Sequence, residues 1–295
     1  RQGIKIQHKS TEQILKLSHG AILCSGSIMT PYLLMHSGIG DKDHLKQYDK
    51  EIIIDNSNVG RNLQDHLGLD YLFKTHHHSL NKSLGTWPGR ITSVLKYIYN
   101  RKGPLSLSIN QSGGYVNWHS KHHYPNLQIY FNPLTYSIIH RNKRPLLKTD
   151  KFNGFIIGYN SCRPKSLGRV ALNSPNFDDA PVIDPNFLSH EEDIYDVKCA
   201  INFSKVLANT KSIKKIRNES VTHDLLNSTE EELIDHFKSN AVSIYHPCGT
   251  CKMDEDPKKG VVSERLKVHG MENLWIADAS VFPNITSGNI NAPVM

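Results

Sequence analysis

Gly20-Ala21-Ile22-Leu23-Cys24-Ser25-Gly26-Ser27-Ile28-Met29-Thr30-Pro31-Tyr32-Leu33-Leu34-Met35-His36-Ser37-Gly38-Ile39-Gly40 is the stretch whose reading decides the fold. Gly20 to Cys24 is short and nearly all apolar, which predicts a strand buried on both faces. After the Ser25-Gly26-Ser27 turn, Thr30 can N-cap a helix with Pro31 at its first position, where a missing N–H costs nothing. Tyr32 to Met35 fill one to two turns, and Gly38-Ile39-Gly40 ends them. Strand, Gly/Ser turn and capped helix are the local logic of a nucleotide-binding α/β unit, in which free N–H groups face an anion. The same pattern also serves as an ordinary α/β turn, and spacing alone leaves the two level.

Working outward, Gly3-Ile4-Lys5-Ile6, Glu12 to Leu17 and Glu51 to Ile54 read as strands. Asn58-Val59-Gly60-Arg61-Asn62-Leu63-Gln64-Asp65-His66 follows. Asp65-His66 has the composition of a catalytic pair, but side chains of adjacent residues rarely point at each other, so a loop-ordering role is the expectation. From about Leu67 the texture changes. His76-His77-His78 and His122-His123 lack the helical i,i+4 spacing of metal ligands and read as solvated loops. Asn126 to Pro133, Asn153 to Tyr159 and Gly168 to Leu172 look like strands with no helix between them, which predicts an antiparallel sheet. Two helices follow behind capping boxes, Ser189-x-x-Glu192 ahead of Ile194, Val197 and Ile201, and Ser228-x-x-Glu231 ahead of Leu233, Ile234 and Phe237. Asn273 to Ala277 is a further strand.

The chain has 295 residues, 38% of them hydrophobic, enough for a real core in two domains. No run approaches the roughly 18 to 20 apolar residues of a membrane helix. The net charge of +7 is spread along the chain, and its short basic spots lack interleaved aromatics, which argues against nucleic-acid binding. Five cysteines without a disulfide-like spacing point to a reducing, cytoplasmic compartment, with peripheral attachment to a membrane left open. The chain opens at Arg1 directly into a strand pattern and stops at Met295 as an apolar run begins. Both ends look cut through structure, and a fragment of a longer protein is expected.

Chemistry concentrates in Tyr245-His246-Pro247-Cys248-Gly249-Thr250-Cys251-Lys252-Met253. A His held between a helix end and a Pro-Gly turn can be aimed rigidly, and near pH 7 it can take up a proton. A satisfied loop histidine beside two buried thiols is the plain alternative.

Several separated stretches together resemble the glucose–methanol–choline (GMC) family of FAD-dependent oxidoreductases. Gly26 to Gly40 is similar to that family's second signature, and Val59 to His66 to its usual continuation. Gly168-Arg169-Val170 and Asp184-Pro185-Asn186 resemble its substrate-domain strand and the segment after it. His246 to Met253, Asp278-Ala279-Ser280 and Ser287 to Pro293 resemble its C-terminal catalytic and flavin-contacting segments. The resemblance implies a mixed α/β fold: a Rossmann-like FAD-binding domain with an inserted substrate domain of antiparallel sheet plus helices. The expected division is 1–66 and 241–295 for the first, the catalytic His lying in the latter, and 67–240 for the second.

Residue by residue, the resemblance implies His246 as catalytic base, Asn289 as its partner at the substrate oxygen, and Asp278, Ala279 and Asn291 beside the flavin. Cys248, Cys251 and Lys252 look most like the choline- and alcohol-dehydrogenase branch. The family's N-terminal Gly-x-Gly-x-x-Gly unit and first signature are missing, and the final apolar helix is incomplete. The piece is therefore expected to hold FAD poorly and to be inactive alone. The implied reaction is oxidation of a small primary alcohol, choline-like or other, to the aldehyde, with electrons passed to O2 or to a carrier. No metal is expected. Two rivals remain open, and a third, a Cys-x-x-Cys disulfide oxidoreductase, lacks the βαβ context it needs. One is a zinc deaminase, with His190-Glu191-Glu192 as H-x-E and Pro247-Cys248-Gly249-Thr250-Cys251 as P-C-x-x-C. The other is a flavin-free, non-enzymatic remnant.

Overall fold

A computed structural model describes residues 3–8, 11–108, 110–141 and 144–295. In chain order the strands are β1 (Gly3–His8), β2 (Thr11–Lys16), β3 (Ala21–Leu23), β4 (Ile39–Gly40), β5 (Ile54–Asp55), β6 (Arg61–Leu63), β7 (Leu67–Lys74) and β8 (Ser112–Val116). They continue with β9 (Leu127–Asn132), β10 (Tyr136–Arg141), β11 (Arg144–Thr149), β12 (Gly154–Ser161), β13 (Gly168–Ala171), β14 (Val182–Asp184), β15 (Val242–Ser243) and β16 (Leu274–Ile276). The helices are α1 (Gly26–His36), α2 (Lys42–Lys46), α3 (Leu80–Gly85), α4 (Trp87–Asn100), α5 (Glu191–Ala208), α6 (Lys211–Ile216), α7 (Glu230–Asn240) and α8 (Asn291–Val294). The architecture is mixed α/β, in two compact units: Arg1–Asp65 with Pro164–His190 and Tyr245–Met295, and His66–Arg163 with Glu191–Ile244.

In the first unit β3 pairs in parallel with β16, and β4 in parallel with β5. The antiparallel set β6-β13-β14 completes the unit with the β1–β2 hairpin. Tyr32, Leu34 and Met35 of α1 are buried with Ile39, Val170, Leu172, Val262, Ile276 and Val281 in one apolar cluster. The segment 164–190 was expected in the inserted domain. It belongs here instead, because β13 hydrogen-bonds to β6 on one side and β14 on the other. Val170 and Leu172 sit in the cluster with Tyr32. The expectation that β3 is buried on both faces also fails: Ala21 is buried and Leu23 packs on the core cluster, while Ile22, on the opposite face of the strand, is 65% exposed.

The second unit is built on a five-stranded antiparallel sheet in the order β15-β7-β12-β9-β8. The central strand β12 is buried along nearly its whole length. Phe155 stacks against Phe73 and Phe131, and Tyr159 against Tyr71 and Phe237 of α7. The capping box of α7 sits one residue later than the Ser228 reading. Thr229 accepts from Glu232 N, and Glu232 accepts from Thr229 N. Similarly α5 starts at Glu191. His76 to His78 and His122-His123 lie exposed outside the strands and helices, as read, but α3 and α4 lie in the same polar stretch.

One close approach fixes the sheet interior. Tyr130 donates its hydroxyl to Asp70 Oδ1 at 3.0 Å, and burial pushes the Asp70 carboxyl up while this bond pulls it back. A Cβ on Gly158 would overlap both the Tyr130 ring and the Asp70 carboxylate. Gly158→Ala is therefore expected to lower stability by about 1–3 kcal/mol through overpacking. Gly114→Ala on strand β8 meets nothing within 4 Å and is expected to stay within about 0.5 kcal/mol. Urea denaturation of the two variants checks the contrast.

Candidate active site

The site is assembled around α1, and Pro31 governs the assembly. Pro31 lies inside the helix, not at its first turn. Having no N–H, it leaves the carbonyl of Ser27, four residues back, without its helical donor. Thr250, fully buried, supplies one: its hydroxyl donates to Ser27 O at 2.6 Å. The Ser27 hydroxyl in turn donates to Pro247 O at 2.7 Å. Two hydrogen bonds thus tie the loop carrying His246 to the first turn of α1.

Thr30 does not cap the helix. Its hydroxyl donates to Asp278 Oδ2 at 2.6 Å, and the same oxygen accepts from Gly26 N at 2.9 Å. The anion at the start of α1 is therefore a side chain of this protein. Asp278 Oδ1 accepts from Ser280 N at 2.8 Å, so the carboxylate also starts the short 3-10 turn Ala279–Val281. Ala279 O accepts from Gly249 N at 3.0 Å, and Ser280 O from Cys251 N at 2.7 Å. On the other side, Gln64 and Cys248 exchange two backbone hydrogen bonds, of 3.0 and 2.9 Å.

His246 is 9% exposed. Its backbone N–H donates to Asp65 Oδ1 at 2.9 Å, which gives Asp65 the loop-ordering role read from the sequence. The preceding Tyr245 is held in the left-handed region at φ 65°, a strained conformation for a bulky residue that persists only when its surroundings enforce it. Burial holds the His246 imidazole below its ordinary pKa, and the nearby Asp65 charge partly offsets this. At pH 7 the ring is mainly neutral and able to accept a proton. The same burial pushes the Cys248 thiol up to about 12 and raises Cys251 as well. Cys248 packs with Ala279, Ile285 and Ile290.

The structure thus brings Asp278 and Ala279 against the His246 loop. Asn289 and Asn291 are exposed on either side of Ile290, which is anchored on that apolar cluster. Sequence patterns alone do not show that the hydroxyls of Ser27, Thr30 and Thr250 link α1 to the His246 loop and to Asp278. The available signal was Pro31, because a proline inside a helix always orphans one carbonyl. For the zinc reading, no group of three or more His, Cys, Asp or Glu is placed to hold a metal among the described residues.

Comparison with known proteins places these segments in one family context. Two sequence models, both described as GMC oxidoreductase, match residues 2–68 and 164–295. The alcohol dehydrogenase [acceptor] of Pseudomonas putida is 34% identical over 292 residues, covering 98% of this chain and 52% of that protein. An oxygen-dependent choline dehydrogenase of Cronobacter sakazakii is 31% identical over 284 residues, 96% of this chain and 49% of its own length. Among solved structures, formate oxidase from Aspergillus oryzae superimposes with a TM-score of 0.88 at 25% identity over 99% of this chain and 55% of that one. Pyridoxine 4-oxidase from Mesorbium loti gives 0.80 at 25% identity, over 99% and 52%. The chain spans about half the length of the curated relatives it matches.

Thr250→Val should cost about 1–3 kcal/mol, the scale of one buried carbonyl left without a donor. Pro31→Ala restores an amide at the position that the Ser27 carbonyl needs, so in that background the cost of Thr250→Val should fall below about 1 kcal/mol. A double-mutant cycle by chemical denaturation measures the difference. Equal costs in the two backgrounds would show that the hydroxyl is not standing in for the missing N–H.

Proposed function

The chain belongs to the GMC oxidoreductase family, and from that premise we propose that the full-length protein oxidises a primary alcohol, choline-like or another small alcohol, to its aldehyde with FAD. The observation that carries this reading is His246: a buried, mainly neutral imidazole on a loop bonded to α1 and to Ala279–Val281. Its matched neighbours come from both ends of the chain.

The residues present fit the ring end of the cofactor. Asn291 is exposed and Ala279 places a small side chain beside the His246 loop. Asp278 serves that end indirectly, since its carboxylate fixes the start of α1 and the turn that presents Ala279. No Gly-x-Gly-x-x-Gly segment for the pyrophosphate occurs in these 295 residues. When bound, FAD supplies the acceptor for the hydride leaving the carbinol carbon.

His246 takes the hydroxyl proton, leaving the electron pair on oxygen to form the carbonyl as the hydride departs. Asn289 donates a neutral hydrogen bond to that oxygen, which strengthens as alkoxide character develops. Asp65 holds the backbone of His246 and so fixes the point from which the ring projects. O2 or a carrier takes up the electrons. The five free thiols support a reducing compartment, the cytoplasm.

In the full-length protein, His246→Ala should leave the flavin bound and slow its reduction by primary alcohol by about 10²–10⁴-fold, the usual size of a general-base contribution. The base works in its neutral form, and burial lowers its pKa. The wild-type rate should therefore rise with pH through one ionisation below about 6.5 and be flat at neutral pH. That limb should vanish in the variant, and Asn289→Ala should cost less. Stopped-flow reduction read at the flavin absorbance decides it: an undiminished rate in His246→Ala places the base elsewhere. Colourless full-length protein would favour the flavin-free alternative.

A further inference from the structure

Helix α4 is amphipathic in the wrong sense for a helix on a protein surface. Trp87, Ile91, Val94, Leu95, Ile98 and Tyr99 recur at helical spacing and share one arc of about 140°. All six are exposed, from 44% for Val94 to 92% for Tyr99. The opposite face, Gly89, Ser93 and Tyr97, is the one turned to the protein: Ser93 is its buried residue, and a Cβ on Gly89 would strike the Ser83 carbonyl of α3. Gly89 and Ser93, with the half-buried Tyr97 beside them, therefore face inward, and the six large side chains of the arc face solvent. The ends are well made. The Thr86 hydroxyl accepts from Gly89 N, and Arg101 closes the helix in the left-handed conformation.

Charge says what covers this face. Arg90 and Lys96, both exposed, border the apolar arc on its two sides, and Arg101-Lys102 follow the helix. Between Tyr71 and Thr149 lie eleven of the chain's 35 Lys and Arg residues and none of its 28 Asp and Glu residues. Outside that stretch acids outnumber bases. An apolar stripe with cations on both borders and aromatic residues at its ends suits a bilayer surface, where apolar groups enter the acyl boundary and cations meet lipid phosphates. A helix of 14 residues such as α4 can lie on such a surface but is too short to span it, and no described helix is long and apolar enough to cross a membrane.

We infer that α4 is a membrane-surface anchor, docking the protein in-plane on bilayers rich in anionic phospholipid. None of the residues of α4 belongs to the site proposed for the oxidation.

The test is co-sedimentation of the full-length protein with vesicles of phosphatidylcholine, alone or with about 30% phosphatidylglycerol. The wild type should pellet with the anionic vesicles, bind at least about tenfold more weakly to phosphatidylcholine alone, and lose affinity in about 0.5 M salt. The triple variant Ile91→Ser/Leu95→Ser/Ile98→Ser alters exposed side chains alone, so its thermal midpoint should hold. Its affinity for anionic vesicles should drop by at least about tenfold. Arg90→Gln/Lys96→Gln should weaken binding to anionic vesicles while leaving the weak binding to phosphatidylcholine unchanged. Wild-type protein that stays in the supernatant, as it would if the rest of the chain covers α4, overturns the inference. So does a triple variant that binds like wild type. A triple variant that changes oligomeric state with unchanged vesicle binding makes the face a contact between copies and overturns it too.

Discussion

One missing amide organises the first unit. Pro31 cannot donate to Ser27 O, and a buried carbonyl without a donor costs about 1–3 kcal/mol. The chain meets that demand from 219 residues beyond Pro31, with the Thr250 hydroxyl at 2.6 Å. Because Thr250 is four residues from His246, satisfying the helix also positions the imidazole. The Ser27 hydroxyl on Pro247 O adds a second point of attachment on the other side of Cys248. Local helix energetics and the placement of a candidate base are here the same interaction.

Asp278 extends the logic. A helix N-terminus attracts an anion, and in many α/β units that anion is a ligand phosphate. Here the anion is a carboxylate that also caps the turn leading into Ala279–Val281. The start of α1 is thus committed to holding two chain segments together. Those segments carry the Cys248–Ala279–Ile285–Ile290 cluster, on which the exposed Asn289 and Asn291 are mounted. The second unit follows a different principle. Its interior is an aromatic stack on β7, β9 and β12, into which one hydrogen-bonded carboxylate, Asp70, is built.

Motifs made legible what depends on local spacing: β3 before α1, the strands of the antiparallel sheet, α5 and α7, and the loop at His246. They missed what depends on distant partners. Thr30 before Pro31 looks like a cap because the local preference is strong, and its actual acceptor, Asp278, lies 248 residues away. Ser228 and Thr229 compete for one cap, and reciprocal bonding with Glu232 decides for Thr229. Segment 164–190 reads as part of the strand-rich middle, but the ladder of β13 to β6 returns it to the first unit. Helix α4 hid in plain periodicity. Its apolar spacing is regular, but its inverted burial cannot be read without the structure.

Electrostatics ties the His246 loop to the chemistry assigned to it. Burial disfavours charge of either sign, so it acts oppositely on acids and bases. It raises the Cys248 and Cys251 thiols and lowers the His246 imidazole. All three groups are therefore mainly uncharged at neutral pH. The thiols, far from forming thiolates, are poor nucleophiles and poor ligands, which weakens a redox or metal role for the Cys-x-x-Cys pair. The imidazole is left as the group that would gain a charge on taking up a proton. That gain is opposed by desolvation and favoured by Asp65, whose carboxylate already accepts the His246 backbone N–H. One carboxylate thereby fixes the backbone that carries the imidazole and favours its protonated form. A ring held neutral by burial, with an anion beside it, can take up a proton at neutral pH, which is what the proposed role as base requires.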